Sequence, residues 1–287
     1  MKKVGRVLKI MFWFVTAFAL LLSGTAATYA WFSSNRVVRS EGVSGRSGSD
    51  SVTLQISSYG GDSFSPQDEA DIVQVNSTEI TRLLPVSTSD LQTFLYNGST
   101  VDDVASSFTV VEDERYYYHG RVYLRAVAEG DVSASRMALY LDEGSETGDA
   151  IIRSASQELL NASRLGLTFD GGDGVIFRLS DESNSSENQI HNTYVNGTLL
   201  GDHQVLGYDG GNVLAVTDPG VLLSTYTITM EEQRIVLPEE PLFYMEMNRI
   251  YAVDIYFYLE GCDPDCSDSV SFNEADLRLA FYGVCVE

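Results

Sequence analysis

Cysteine is scarce in this chain. Its 287 residues carry three, Cys262, Cys266 and Cys285, and three cannot all pair within one molecule. A disulfide-stapled scaffold is excluded, and no CxxC knuckle offers a zinc site. Histidine is as rare. His119, His191 and His203 stand at spacings that fit no metal site, and HExxH is missing. So are GxSxG, a glycine-rich phosphate loop and a strand–glycine–helix dinucleotide motif. His119 follows three tyrosines in a strand-like segment and reads as structural, and Cys285 shares a face with Leu279 and Phe281 and reads as an inert thiol. On chemistry alone the chain reads as a non-enzyme. No interior stretch is rich enough in Pro or Gly to demand two domains, no repeat of fixed period is visible, and no LPxTG-like signal is present (LPEEP, residues 237–241, lies mid-chain).

Basic residues are also few, 18 against 41 acidic. Four of them, Lys2, Lys3, Arg6 and Lys9, open the chain. An uncharged apolar stretch from Ile10 to Leu22 follows, then small residues up to Ala30. Basic, apolar and small zones in that order are the layout of a secretory signal, and Thr28 and Ala30 place small side chains where a signal peptidase reads. The expectation is a signal helix over residues 1–30, cut between Ala30 and Trp31. Counted on through Phe32, the same stretch reaches the roughly 20 residues that span a bilayer. An uncleaved anchor is therefore the competing reading, and the one route by which this chain would touch a membrane.

Beyond residue 30 stand 14 basic and 41 acidic residues, a formal charge of −27. Such a surface repels nucleic acid and anionic lipid, and suits a soluble or extracellular protein. The chain still has a core to build, with 44% hydrophobic residues, 16 Tyr and 13 Phe.

Period-two alternation dominates. Val52, Leu54 and Ile56 alternate with polar partners; so do Val122, Leu124, Ala126 and Ala128, and Met137, Leu139 and Leu141. The longest run, IYAVDIYFYLE, places Tyr251, Val253, Ile255, Phe257 and Leu259 on one face, and DLRLAFYGVCV does the same for Leu277, Leu279, Phe281 and Cys285. Many such segments, separated by Gly, Asp, Asn and Ser, predict an all-β antiparallel sandwich over residues 51–287. Helical signals are few. SPQDEADIVQV from Ser65 and STSDLQTFLYNG from Ser87 or Ser89 to Gly98 read as short helices. GDAIIRSASQELLNAS reads as a helix or as a strand running into a turn. Residues 180–220 read as a long polar insertion with one or two minor strands. RSEGVSGRSGSD, residues 39–50, reads as a flexible tether, which with residues 31–38 makes a mobile N-terminal segment.

One constellation stands out. EGCDPDCSDS packs Glu260, Asp263, Asp265 and Asp268 into a single turn. Clustered carboxylates repel unless solvated, paired or holding a cation. The turn is thus a candidate calcium site, set against a solvated acidic turn bent by Pro264. No other cofactor is indicated. Cys262 and Cys266 flank the turn, as a small disulfide loop or as free thiols.

The two ends resemble a known group. ATYAWFSSNRVV, residues 26–37, is similar to the cleavage region of bacterial proteins with a SipW-dependent-type signal peptide. YLEGCDPDC followed by LRLAFYGV resembles the closing strands of that group, which is related to the TasA and camelysin matrix proteins of Gram-positive bacteria. LLPVSTSDLQTF, YYYHGRVYLRA and LYLDEG look like its strands as well, and the insertion at 180–220 departs from it. The resemblance implies a jelly-roll-like sandwich, export, a SipW-like signal peptidase as partner, and assembly into extracellular fibres with other copies or related matrix subunits. In such fibres the mature N-terminal segment of one subunit completes the sheet of the next. Camelysin has been classed as a metalloprotease, but no zinc-binding motif here supports that activity.

A secreted structural fibre subunit is therefore the leading expectation, with Trp31, Phe32, Val37 and Val38 as the apolar residues of the donor strand. A tether of about 12 residues reaches about 20 Å, enough to find an edge. Against this stands a frayed terminus that does nothing. The alternative function is a monomeric cell-surface adhesin, which binds glycan or protein through the insertion and the tyrosines of RYYYHGRVY and YDGGN.

Overall fold

The computed structural model describes residues 38–286 apart from 49–51, 62–63, 65–68, 77–82, 98–107, 113–115, 129–134, 143–151, 155–156, 181–193, 202, 233, 264 and 267–274. The expected signal helix, the cleavage pair Ala30 and Trp31, the donor residues Phe32 and Val37, and the turn residue Asp268 lie outside the described residues.

The chain folds as an all-β sandwich of two sheets. The first runs β18 (Arg234–Val236), β17 (Thr227–Glu231), β8 (Arg136–Asp142), β21 (Ala275–Val286), β1 (Val38–Ser47), β3 (Glu69–Ala70), with β19 (Phe243–Glu246) also on β8 and β9 (Ile152–Ser154) also on β21. The second runs β16 (Val221–Leu222), β11 (Gly174–Arg178), β10 (Ser163–Phe169), β20 (Ile250–Leu259), β7 (Tyr118–Ala128), β2 (Val52–Ser57), with β4 (Val73–Gln74) also on β7. Three hairpins stand apart: β5 (Leu95–Asn97) with β6 (Phe108–Val110), β12 (Tyr194–Val195) with β13 (Thr198–Leu199), and β14 (Gln204–Asp209) with β15 (Asn212–Thr217). The central ladders are antiparallel, as the alternation predicts. Among the described strands three pairings are parallel: β1 with β21, β17 with β8, and β11 with β16.

The core is built from alternate residues of facing strands. Val122, Leu124 and Ala126 from β7 and Val253, Ile255 and Phe257 from β20 are buried, and so are Met137, Leu139 and Leu141 from β8 and Leu277, Leu279 and Phe281 from β21. Side chains that alternate along a strand point to opposite faces, so one sequence period fills the space between the sheets. Cys285 packs against this core, on the face expected of it.

The outer face of the second sheet is not bare. Val86, Leu91 and Phe94 lie over Ile176 and Tyr258 to form a second apolar cluster. Leu91 adopts a left-handed backbone (φ 59°) and fills the space left by two glycines. A Cβ on Gly166 would come within 2.5 Å of Leu91 Cδ2, and one on Gly174 within 2.7 Å of its Cδ1.

Four expectations need correction. The tether expected at 39–50 is largely strand β1, whose Val43 is buried. Its Ser/Gly composition suggested flexibility, but Gly45 is where the strand closes on its neighbour, since a Cβ there would approach Ile56 Cδ1 to 2.9 Å. The sandwich therefore begins at least at Val38, not at residue 51. In place of the helix expected at 65–75, the described part of that stretch holds β3 and β4, which pair with β1 and β7. Sheet edges that need partners override a local capping signal.

In place of the helix expected at 87–98, Thr88 Oγ1 accepts from the Leu91 amide (3.1 Å), and Asp90 Oδ1 accepts from those of Gln92 (2.9 Å) and Thr93 (3.0 Å). Such local side-chain bonds compete with a helix, and β5 follows directly. Of the third helical candidate, α1 (Gln157–Ala162) forms and runs straight into β10.

The insertion is more ordered than expected over residues 194–217, where it makes two hairpins. Asn196-Gly197 and Gly210-Gly211 turn them, all four with positive φ, the backbone that a tight two-residue hairpin demands. The hairpins close a small core of Leu95, Val195, Leu200 and Leu206 against Phe108, Val110, Val213 and Cys262.

Candidate functional site

Strand β1 runs parallel to β21 over nine matched pairs, from Val38 opposite Ala275 to Ser47 opposite Gly283, with a bulge between Ser40 and Gly42. On its other side, among the described residues, β3 meets it at Val43 and Ser44. Past Ser47 the ladder is extended by the Gly48 amide, which donates to the Gly283 carbonyl at 3.0 Å.

Apolar anchoring among the described side chains of this strand, Val43–Ser47, is sparse. Val43 is its one side chain among the described core residues, where β20 contributes five to the same core. Burying a valine stabilises by roughly 1.5–3 kcal/mol, and each backbone hydrogen bond adds a net of about 1 kcal/mol. Over Val43–Ser47 the strand is held mainly by its ladder. A polar contact reinforces it: Arg46 Nε donates to Asp142 Oδ2 at 2.8 Å, and the guanidinium lies 5.2 Å from the centroid of the Tyr282 ring. Of the four donor residues expected from the sequence, Val38 opens β1, and the other three lie outside the described residues.

The acidic turn sits at the far end of β20. The Gly261 amide donates to Val86 O at 2.8 Å and that of Glu260 to Ala162 O at 2.8 Å. Glu260 and Asp263 are buried, not solvated. Their cation is a protein side chain. Arg164, itself buried, donates through Nη2 to Asp263 Oδ2 at 2.9 Å and to Asp218 Oδ2 at 3.4 Å. Asp263 Oδ1 accepts from the Asp265 amide (2.9 Å), and Asp265 Oδ2 accepts from Asn161 Nδ2 (3.0 Å). Glu260 Oε1 accepts from the Cys262 amide at 3.1 Å.

The three described carboxylates thus turn onto protein donors rather than onto a common point. Among the described residues no group of three or more His, Cys, Asp or Glu is placed to hold a metal. Glu260, Asp263 and Asp265 are thus not gathered as calcium ligands, and Asp268 lies outside the described residues; the solvated-turn reading is corrected, because neither Glu260 nor Asp263 is a solvated charge. Burial pushes the Glu260 carboxyl up to about 7, against the pull of Arg164. For Arg164, burial alone would lower the guanidinium, but Asp263 and Asp218 overcome it and raise it.

The disulfide expectation is corrected too. Cys262 and Cys266 are free. Cys262 packs with the insertion's small core and Cys266 with the main core, so the two thiols serve different apolar clusters. Burial pushes both thiols up, which leaves little thiolate to act as a nucleophile.

The tyrosines expected to contact a ligand divide. Tyr118 is in the core, Tyr117 stacks on Phe94 (3.9 Å between centroids) and Tyr116 lies 5.0 Å from Tyr96, whereas Tyr208 of YDGGN is exposed. His119 Nε2 lies 2.8 Å from Asp254 Oδ1, and its ring stacks on Tyr256 at 4.4 Å. Burial alone would raise the Asp254 carboxyl, but bonds to His119 and Arg121 hold it below its ordinary value.

Sequence reasoning missed Arg164 and Arg46. The signal for Arg164 was a single charge within the otherwise uncharged strand SRLGLTF; Arg46 carried none beyond its place in a Ser/Gly stretch. No protein-family model, curated protein or solved structure matches this chain.

Proposed function

We propose that this chain is a secreted structural subunit of a bacterial surface or biofilm-matrix fibre, in which the N-terminal strand passes from one copy to the next. The observation that carries this reading is β1. It is a long strand rich in Ser and Gly, whose described side chains, Val43–Ser47, include one core residue, Val43, and it is laid along β21. A strand held by its backbone ladder can be replaced by the same strand from a neighbour at little net cost, because every contact is remade. The apolar residues Trp31, Phe32 and Val37 just before it would extend the exchange onto the neighbouring copy. The resemblance of the cleavage region to SipW-dependent signals supports the same reading, with a SipW-like peptidase freeing this segment. The reading assigns no catalytic role.

Charge shapes the assembly. Copies of formal charge −27 repel one another, and salt screens such repulsion over about 10 Å at 0.1 M. Fibres should therefore form faster as ionic strength rises. The test is electron microscopy and sedimentation of the chain beginning at Trp31 and of the same chain without residues 31–47, which removes the donated strand β1 as well as the segment before it. Fibres from the first and none from the second are expected. The same fibres from both would sink strand donation.

One observation favours the adhesin as a second reading. The insertion's hairpins expose Leu199, Tyr208 and Leu214, apolar surface of the kind that marks a contact site. Retention of a glycan or protein ligand by a strict monomer, lost in Tyr208→Ala, would establish it.

A further inference from the structure

Beyond its ladder, β1 is tied to the rest of its sheet by an ion pair. Asp142 ends β8, two strands away from β1, and its side chain is only 7% exposed, where that of Arg46 is 29% exposed. Around Asp142 lies the apolar cluster on the outer face of the first sheet, Ala138, Tyr140, Ile228 and Tyr282. Arg46 reaches over Tyr282 to meet the carboxylate. Tyr282 belongs to β21, so the guanidinium spans the strand that β1 pairs with and fastens onto the strand beyond it.

We infer that Arg46 and Asp142 form a latch that holds β1 in its own subunit and sets how fast the strand opens and exchanges with another copy. The inference rests on strand exchange as the mode of assembly. If β1 peels away, Asp142 is left as a nearly buried carboxylate without its guanidinium, and an ion pair broken from one side is costly. The latch therefore raises the energy of the opened state. It does not favour closed copies over exchanged ones, because an incoming β1 carries its own Arg46 to the same Asp142. Such an interaction, made in both end states and absent between them, governs rate and leaves the final distribution alone. The position of the pair fits this role. Arg46 is one residue from the end of β1 that leads on toward β2, so the strand cannot swing out from that end until the pair has parted.

Two measurements on the purified chain test this. The first is hydrogen exchange followed by mass spectrometry on wild type, Arg46→Gln, Asp142→Asn and Arg46→Lys. Arg46→Gln and Asp142→Asn should each speed exchange of the β1 amides and of the β21 amides that face them, on the order of ten-fold. Amides of β7 and β20 should be unchanged. Arg46→Lys keeps the charge and should lie between. The second is mixing of isotopically light and heavy copies, read by native mass spectrometry of the assemblies. The variants should mix faster than wild type and reach the same final distribution.

Unchanged β1 exchange in both Arg46→Gln and Asp142→Asn would overturn the latch. So would equal acceleration in β7 and β20, which would mark a plain loss of stability. Selective opening of β1 in copies that never mix would overturn strand exchange, and with it the fibre reading, while leaving the pair as a clamp on a monomer. A shifted final distribution at unchanged mixing rate would overturn the claim that the pair acts on rate.

Discussion

Arg164 and Asp263 meet at 2.9 Å, both buried, across the junction between strand β10 and the turn that follows β20. An arginine in the interior needs its charge answered, and Asp263 and Asp218 answer it. A buried pair broken from one side typically costs about 3–5 kcal/mol, because the remaining charge is stranded. Arg164→Met should therefore destabilise the chain by about that much in denaturant melts, and more than Arg249→Met, whose exposed partner is Asp170. Equal losses in the two variants would mean that the buried pair contributes no more than a surface one.

Glu260 should make stability depend on pH near neutrality. Its folded carboxyl is pushed up to about 7 by burial, against an ordinary value of 4.5. The folded state therefore holds the proton more tightly than the unfolded one. This contribution to stability is fully present below about 4.5 and is lost as pH rises through about 7. Each tenfold gain in proton affinity is worth about 1.4 kcal/mol, so the whole contribution amounts to a few kcal/mol. Thermal melts between pH 5 and 8 should show wild type losing stability that Glu260→Gln keeps. Parallel curves for the two would sink the assignment.

Calcium should leave the melting temperature of the wild-type chain unchanged at millimolar concentration. The Asp263 carboxylate already faces a guanidinium, and Asp265 faces the Asn161 amide. A ligand that binds only the folded state raises stability as its concentration exceeds Kd. A melt that climbs with calcium, and stops climbing in Asp265→Asn, would restore a cation to the turn.

Gly166→Ala should cost about 1–3 kcal/mol, the usual penalty for overpacking, since its Cβ would press on Leu91 Cδ2 at 2.5 Å. Adding Leu91→Ala should relieve part of that cost. Two effects that simply add would show that Leu91 does not fill this space.

Phe257→Ala should cost about 3–5 kcal/mol, as for a fully buried aromatic ring in a sandwich core. A loss below about 1 kcal/mol in denaturant melts would mean that this face is not the core.

What could be read from the sequence was whatever repeats with a period of two. Val253, Ile255 and Phe257 announce a buried face because three apolar residues at alternate positions have no other cheap arrangement. Val43 could not announce β1, because Val38 and Val43 stand five positions apart among serines, glycines and charged residues and share no period of two. The strand exists through its pairing with β21, some 236 positions away (Val43 opposite Leu279), and a local window cannot see that. The acidic turn failed differently. Glu260, Asp263 and Asp265 were legible as a cluster of charge, but what answers that charge comes from Arg164, about a hundred residues earlier. Charge at one place in a sequence says that a counter-charge is needed, not where the chain will find it. The helix expected from Ser87 was undone by Thr88 and Asp90, residues equally suited to capping a helix and to closing a turn.

The parallel pairing of β1 with β21 also fixes an order of events during synthesis. Strand β1 is made early, yet its partner follows only after some 236 further residues. Until then β1 has only its short pairing with β3, and β21, once made, must find both β1 and β8 to bury Leu277, Leu279 and Phe281. Contacts of such long range form slowly, since the loop they close is most of the domain. The first sheet is therefore completed only once β21 has been made, and until then β1 and β8 lack the strand that lies between them.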